Sequence, residues 1–411
     1  MEALNSLFAA FATWAGEGLL GVSGLTMVAV TLVVTHLTII SVTLFLHRSQ
    51  AHRALDLHAI PSHFFRFWLW LTTGMVTKEW VSIHRKHHAK CETSEDPHSP
   101  VAHGLSTVLQ RGSELYRAEA KNQETLSKYG HGTPNDWIER NLYTRHSVWG
   151  VSLLLIVFLA LFGAWGATMW AVTMMWIPVT AAGIINGLGH AKGYRNFEAP
   201  DASTNLMPWG LVIGGEELHN NHHTFPTSAK FSVKRFEFDL GWFYIRVLQT
   251  LKLAQPRKVP PQMLEGDIKP ADQQTLETLI ANRYEVMARF GREMRAACRR
   301  ELKRLKAEGA KQSAQWRQIK LAKRWLPRDA DRIPGEHVAQ IQAARMASPA
   351  LDKLVQMREE LRSLWTRTNV SAEQLVKELQ AWCQRAEESG VAELRALSMR
   401  LRASRMPAFA M

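Results

Sequence analysis

Residues Gly214–Pro226 read Gly-Gly-Glu-Glu-Leu-His-Asn-Asn-His-His-Thr-Phe-Pro and set His219, His222 and His223 in an H-x-x-H-H pattern soon after a long apolar run. On a helix, positions i, i+3 and i+4 share a face, so the three imidazoles would point the same way. Converging neutral imidazoles are first of all a metal site. The pattern occurs again at His84, His87 and His88, in His-Arg-Lys-His-His. With 17 histidines among 411 residues, one accidental copy is roughly a 0.03 event and two are far rarer. A basic surface loop does not account for both.

Working outward, His47 and His52 form an H-x4-H pair at the end of an apolar run, and Asn186 and His190 stand four residues apart where a second one ends. After His223 the only histidine is His337. Nine imidazoles are too many for one ion, because transition-metal sites take four to six ligands, whereas two ions with four or five each fit. Imidazole alone admits zinc, copper, nickel or iron. The H-E-x-x-H signature of zinc hydrolases is absent, and Glu216–His219 is an unpartnered Glu-x-x-His, which disfavours the soluble di-iron bundles. Glu79, Glu92, Asp96, Glu216 and Glu217 are candidates to orient imidazoles; otherwise they are solvated charges.

The apolar runs place these residues against a membrane. Leu20–Leu46 carries no charged side chain over 27 residues, enough to cross a bilayer. Arg48 and Arg53 put its far end on the cytoplasmic side. Ile60–Thr77 contains His63 and Arg66 and must return to the side it left, so it reads as an interfacial helix. Val148–Ile185 is uncharged and interrupted at Gly163–Gly166, which suits a transmembrane hairpin. The expected fold is all-α: a polytopic membrane protein of about four transmembrane helices or hairpin equivalents under a cytoplasmic histidine-rich cap. The expected membrane domain is 1–255, with spans at about 20–46, 148–163 and 167–185 and the interfacial helix at about 60–77. Whether the first 18 or so residues cross is left open.

Residues 256–411 read as a basic, soluble helical extension. They hold 30 Lys+Arg against 19 Asp+Glu, most of the whole-chain charge of +13. Ser348-Pro349 predicts a helix start, Ser371 with Gln374 a capping box, and Gly390 a stop. Anionic lipid headgroups are the plain partner for such charge. No nucleic-acid motif accompanies it, so nucleic acid is not expected as a partner. Cys91, Cys298 and Cys383 are too scattered for a disulfide framework or iron–sulfur cluster and fit a reducing compartment. No cleavable signal peptide is expected, because the N-terminus lacks a basic region.

His47–His52, His84–His88, Asn186–His190 and Glu216–Pro226 together resemble the integral-membrane fatty-acyl desaturases of the stearoyl-CoA (Δ9) type, in order and spacing, over roughly residues 20–250. The resemblance implies a non-haem di-iron centre held by His47, His52, His84, His87, His88, His190, His219, His222 and His223, with Asn186 reaching one iron through water. It implies molecular oxygen as co-substrate and a saturated fatty-acyl chain, linked to CoA or phospholipid, that gains a cis double bond. Because no haem or iron–sulfur motif is fused, the electrons would come from a separate donor of ferredoxin, rubredoxin or cytochrome b5 type and its reductase. The expected location is a bacterial inner membrane, with the active site facing the cytoplasm. One departure bears on the substrate: where animal acyl-CoA members carry an Arg-Asp pair before the second box, this chain has Ser82-Ile83. Two rivals remain, a membrane di-iron hydroxylase of alkanes or fatty acids and a non-enzymatic membrane metal-binding protein.

Overall fold

The computed structural model describes residues 1–330, 333–367 and 369–407. The chain is mostly helical and folds as two compact units, one of residues 1–195 and 199–260, the other of 196–198 and 261–411.

In the first unit, α1 (Glu2–Glu17) ends in a turn, and Ser23 then caps α2 (Gly24–Ser41), its hydroxyl accepting the Thr26 N–H at 3.2 Å. The helix begins at Gly24 rather than near Leu20 because Leu19 and Leu20 donate instead to the carbonyls of Ala160 and Leu161. From Val42 to Ala51 it continues as a π-helix, making 28 continuous residues. The 18 α-helical residues alone rise about 27 Å at 1.5 Å per residue, and the π segment carries the element beyond the ~30 Å hydrocarbon layer. Its first turns expose Leu25, Val28, Leu32 and Val33, whereas Val42–Leu46 are buried.

A second helix, Trp165–Leu188, is also long and apolar enough to cross a membrane, and Ser147–Phe162 is a shorter apolar one. These two form the expected hairpin, broken at Gly163. Gly166 lets them touch, since a Cβ there would fall 2.1 Å from the Phe158 carbonyl oxygen. Outward-facing Val148, Trp149, Ile156 and Val172 extend the apolar surface begun by α2. Soluble monomers rarely leave so continuous an apolar belt uncovered.

Between the long helices lie α3 (Ala59–Thr72) and α4 (Thr77–Lys90). Arg66, the charge that interrupts the apolar pattern of α3, is buried and held by Asp136 (2.7 Å) and Glu139 (2.9 Å). The helix Leu105–Glu119 packs along Pro178–Ile185 and kinks at Arg111. Strands are few and local. Leu55–Leu57 pairs antiparallel with Ala254–Pro256, so the first unit runs on to Pro260 and a cut after residue 255 would divide a strand. Trp209–Gly210 pairs parallel with Phe238–Asp239.

The second unit has its own core, in which Phe290, Leu354, Leu361, Leu379, Trp382 and Leu397 are almost fully buried. The Trp382 indole donates to the Met357 carbonyl at 2.8 Å. Ser371 caps Ala372–Glu388 through the Gln374 N–H, but the Gln374 side chain turns to Glu378, so the box is one-sided. Ser348 takes the N-cap position of Pro349–Ser363 without a side-chain bond. The three cysteines are free.

Candidate metal centre

The H-x4-H pair shows why the π segment matters. In an α-helix, residues five apart point about 140° away from each other. The wider π turn, closed by the His52 N–H on the His47 carbonyl at 3.0 Å, brings i and i+5 back to one side. The His47 and His52 rings stand 4.9 Å apart, centroid to centroid. Arg85, the residue after His84, then locks this segment to α4. It donates to the carbonyls of Gln50 (2.7 Å) and Ala51 (2.8 Å), and to those of Tyr129 and His131 (both 2.8 Å).

Arg48 ties the π segment to the third box. It is fully buried, paired with Asp239 at 2.8 Å, and bonded to the carbonyls of Ala229 and Gly214. Gly215 has φ +100°, and a Cβ there would meet the Asp239 carboxylate at 2.3 Å, so only glycine fits. The box itself is the short helix His219–Thr224, anchored by Asn221 to Glu237, Phe231 and Asn205.

Nine imidazoles meet in two groups. His47, His52, His84, His88 and His222 turn their nitrogens to one point, and His87, His190, His219 and His223 to another. Each H-x-x-H-H box therefore divides. Its i, i+4 pair goes to one group and its middle histidine to the other, with the roles exchanged between boxes. Within the groups, Nε2 atoms face each other: His52–His84 at 2.8 Å, His88–His222 at 2.9 Å, His190–His219 at 3.0 Å and His47–His222 at 3.1 Å. Two nitrogens about 2.1 Å from one ion and at right angles would sit about 3.0 Å apart.

Carboxylates fix the tautomers. His47 Nδ1–H donates to Glu216 (2.7 Å), His87 to Asp96 (2.9 Å), His190 to Glu92 (3.2 Å) and His223 to Asp201 (2.9 Å). In each ring the Nε2 is left with a lone pair. His87 Nε2 and His223 Nε2 are buried without a hydrogen-bond partner among the described residues. Burial, reinforced by neighbouring imidazoles, holds His52, His84, His87, His88, His219, His222 and His223 well below their ordinary range, hence neutral. Neutral rings with inward lone pairs are what a transition-metal ion requires, so the donor set fits a pair of such ions.

Of the expected orienting carboxylates, Glu92, Asp96 and Glu216 do touch imidazoles. Glu217 instead accepts the backbone N–H groups of Val212, Ile213 and Gly215 and shapes the loop before the box. Glu79 makes no hydrogen bond to an imidazole among the described residues; it lines the neighbouring cavity, where burial pushes its carboxyl up. Asp201 was not foreseen, since it lies in an irregular loop with no spacing relation to any box. Nor was His98, whose ring packs 4.4 Å from that of His87. Cys91 lies among these carboxylates, and burial pushes its thiol far above the ordinary range, so it stays protonated.

A cavity of about 750 Å³ reaches His47, His84 and His219. Its walls are largely apolar, with Val42, Val76, Ile83, Val151, Ile177 and Ile185, while Arg111, Glu114 and Arg117 supply a polar part. Asn186, one turn before His190, also lines it.

Comparison with known proteins accords with this geometry. A transposase family model matches residues 275–409, within the second unit. Residues 23–237 match the model of the fatty acid desaturases. The acyl-CoA 5-desaturase AL21 of Anemone leveillei is 29% identical over 232 residues, covering 54% of this chain and 68% of that protein. The Delta-9 acyl-lipid desaturase 1 of Arabidopsis thaliana is 29% identical, covering 54% and 72%. The sn-1 stearoyl-lipid 9-desaturase of Synechocystis is likewise 29% identical, covering 54% and 69%. The family match spans more than half of the chain and contains every histidine of both groups, so this chain belongs to the fatty acid desaturase family, whose members are membrane-associated and use a di-iron centre.

Proposed function

We propose that this chain is an oxygen-dependent acyl desaturase that inserts a cis double bond at the Δ9 position of a saturated fatty-acyl chain. His47, His52, His84, His88 and His222 would hold one iron. His87, His190, His219 and His223 would hold the other, with Asn186 completing its surroundings through water. The observation that carries the reading is the opening of a largely apolar cavity of about 750 Å³ onto both groups of inward-facing imidazoles.

The overall reaction removes one hydrogen from each of two adjacent methylenes. With O₂, two electrons and two protons, the products are the alkene and two waters. Two bound irons would supply, from O₂ and those electrons, an oxidant strong enough for an unactivated C–H bond. The protein supplies the rest. The apolar cavity walls would hold one segment of the chain near the imidazoles, so its position in the cavity would select the carbons. Glu92, Asp96, Glu216 and Asp201 hold the Nδ1 protons and keep the Nε2 lone pairs inward. The two electrons would come from a separate donor of ferredoxin, rubredoxin or cytochrome b5 type.

Of the two substrate carriers we favour membrane lipid over CoA. Ser82 and Ile83, at the positions of the animal Arg-Asp pair, are both buried on α4 and unable to grip a soluble nucleotide. The reading also takes the protein to be a multi-pass bacterial inner-membrane enzyme with this site on the cytoplasmic side. Expression in cells lacking their own unsaturation pathway, followed by mass spectrometry of the lipids, tests it. A Δ9 alkene is expected; a hydroxylated chain would support the hydroxylase instead, and unchanged lipids would remove the enzymatic reading.

A further inference from the structure

Within the second unit the positive charge is not spread evenly. Between Arg283 and Arg328, 15 Lys+Arg stand against four Asp+Glu. On the long helix Arg283–Ala307, Arg292, Arg295, Arg299, Lys303 and Lys306 follow one another at spacings of three and four, so they share one face over about 21 Å. Four of them are exposed and Arg295 is half-buried. None has an ion pair among the described residues.

The acids nearby are engaged elsewhere. Glu293 holds Arg400 at 3.0 Å, Glu301 and Glu308 hold Arg304 at 2.8 and 2.7 Å, Glu285 holds Arg289 at 3.0 Å, and Glu393 holds Arg300. Arg289 continues the stripe by one turn and is paired, whereas Arg300, Arg304 and Arg400 lie off it. Partial burial, followed by the charges of Arg289 and Arg295, pushes the Arg292 guanidinium below its ordinary range. A row of like charges without an ion-paired partner among the described residues repels itself, and an external polyanion facing it would relieve that repulsion.

The next helix, Ala314–Ala322, packs against Arg283–Ala307. Arg317 and Lys320 on this helix and Arg324 in the turn after it are all exposed, with Leu321 between them 61% exposed. Lys320 lies 4.7 Å over the Trp316 ring and Arg324 5.0 Å over Trp325. Cations mixed with indole rings and a bare leucine suit the headgroup layer of a bilayer, which accepts both charge and apolar side chains. A duplex backbone offers nothing for the leucine.

We propose that this basic face is a docking surface for anionic phospholipid headgroups. The test uses the full-length protein in nanodiscs of phosphatidylcholine, or of phosphatidylcholine and phosphatidylglycerol at 3:1. Trypsin cleavage after Arg299, Lys303 and Lys306 is timed by peptide mapping and normalised to cleavage after Lys377, an exposed lysine away from the stripe. In anionic discs the normalised rate should fall at least about fivefold, and the protection should fade in high salt. The triple variant R292E/R317E/K320E, which leaves all of these cleavage sites in place, should lose the protection, whereas R395E, at an exposed residue off the stripe, should keep it. Equal rates for the native chain in the two discs would overturn the proposal, whatever the variants do. So would protection by duplex DNA added to neutral discs where anionic discs give none, since the face would then be a nucleic-acid surface.

Discussion

Asp201, Asp96, Glu92 and Glu216 each accept a hydrogen bond from the Nδ1–H of one imidazole, and so decide where that ring keeps its lone pair. Asp201→Ala should leave His223 free to adopt the wrong tautomer and weaken metal retention about 10- to 100-fold. Iron content after timed exposure to a chelator measures this, and an unchanged rate of loss would count against the role. Arg85 is a second decisive residue. Arg85→Ala leaves four carbonyls without their donor and should cost about 3 kcal/mol, seen as a fall of several degrees in Tm in detergent. Arg85→Lys should recover only part, because an ammonium cannot span the same fork. The histidines themselves were legible, since imidazole repeated at helical spacing has few other uses. Asp201 was not, because a carboxylate in a loop meets its partner only through tertiary folding. Glu79 and Glu217 show the converse, acids close in sequence to the boxes that serve the cavity and the loop instead.

At the level of elements, the apolar runs announced the long helices and the break at Gly163, but not the π segments. Nothing in Val42–Ala51 marks a wider turn except the five-residue spacing of His47 and His52, which an α-helix cannot turn to one side. The close approaches of helices were equally hidden. Gly150 lets Ser147–Phe162 lie against α3, where a Cβ would fall 2.2 Å from the Trp70 carbonyl oxygen. Overpacking of this kind costs about 1–3 kcal/mol. Gly150→Ala should therefore lower Tm, and Gly150→Leu should sharply reduce the yield of folded protein; normal yield and Tm for both would mean the helices are not so closely packed.

For the whole molecule, the burial that keeps seven imidazoles neutral has a consequence for pH. Their folded-state pKa values lie below the unfolded value of about 6.5, so on acidification the unfolded chain takes up protons first. The metal-free protein should be most stable above pH 7 and lose Tm steadily as pH falls through 6.5. Metal-loaded protein should resist over the same range, because the bound ions occupy the lone pairs; parallel Tm curves for the two forms would contradict this. Removal of residues 261–411, leaving the strand Ala254–Pro256 in place, should preserve iron binding if the first unit alone carries the site. The change in composition after residue 255 lies close to the boundary between the two compact units, whereas the exact end of the first was not readable, because three residues of β-pairing leave no pattern.

Iron stoichiometry of the full-length protein, purified from iron-replete cells and assayed by mass spectrometry against protein concentration, bears most directly on the two-ion centre. Two irons per chain are expected, falling by one in both His47→Ala and His219→Ala, which sit in different groups. One iron or none in the native protein, or a full complement of zinc in place of iron, would contradict it.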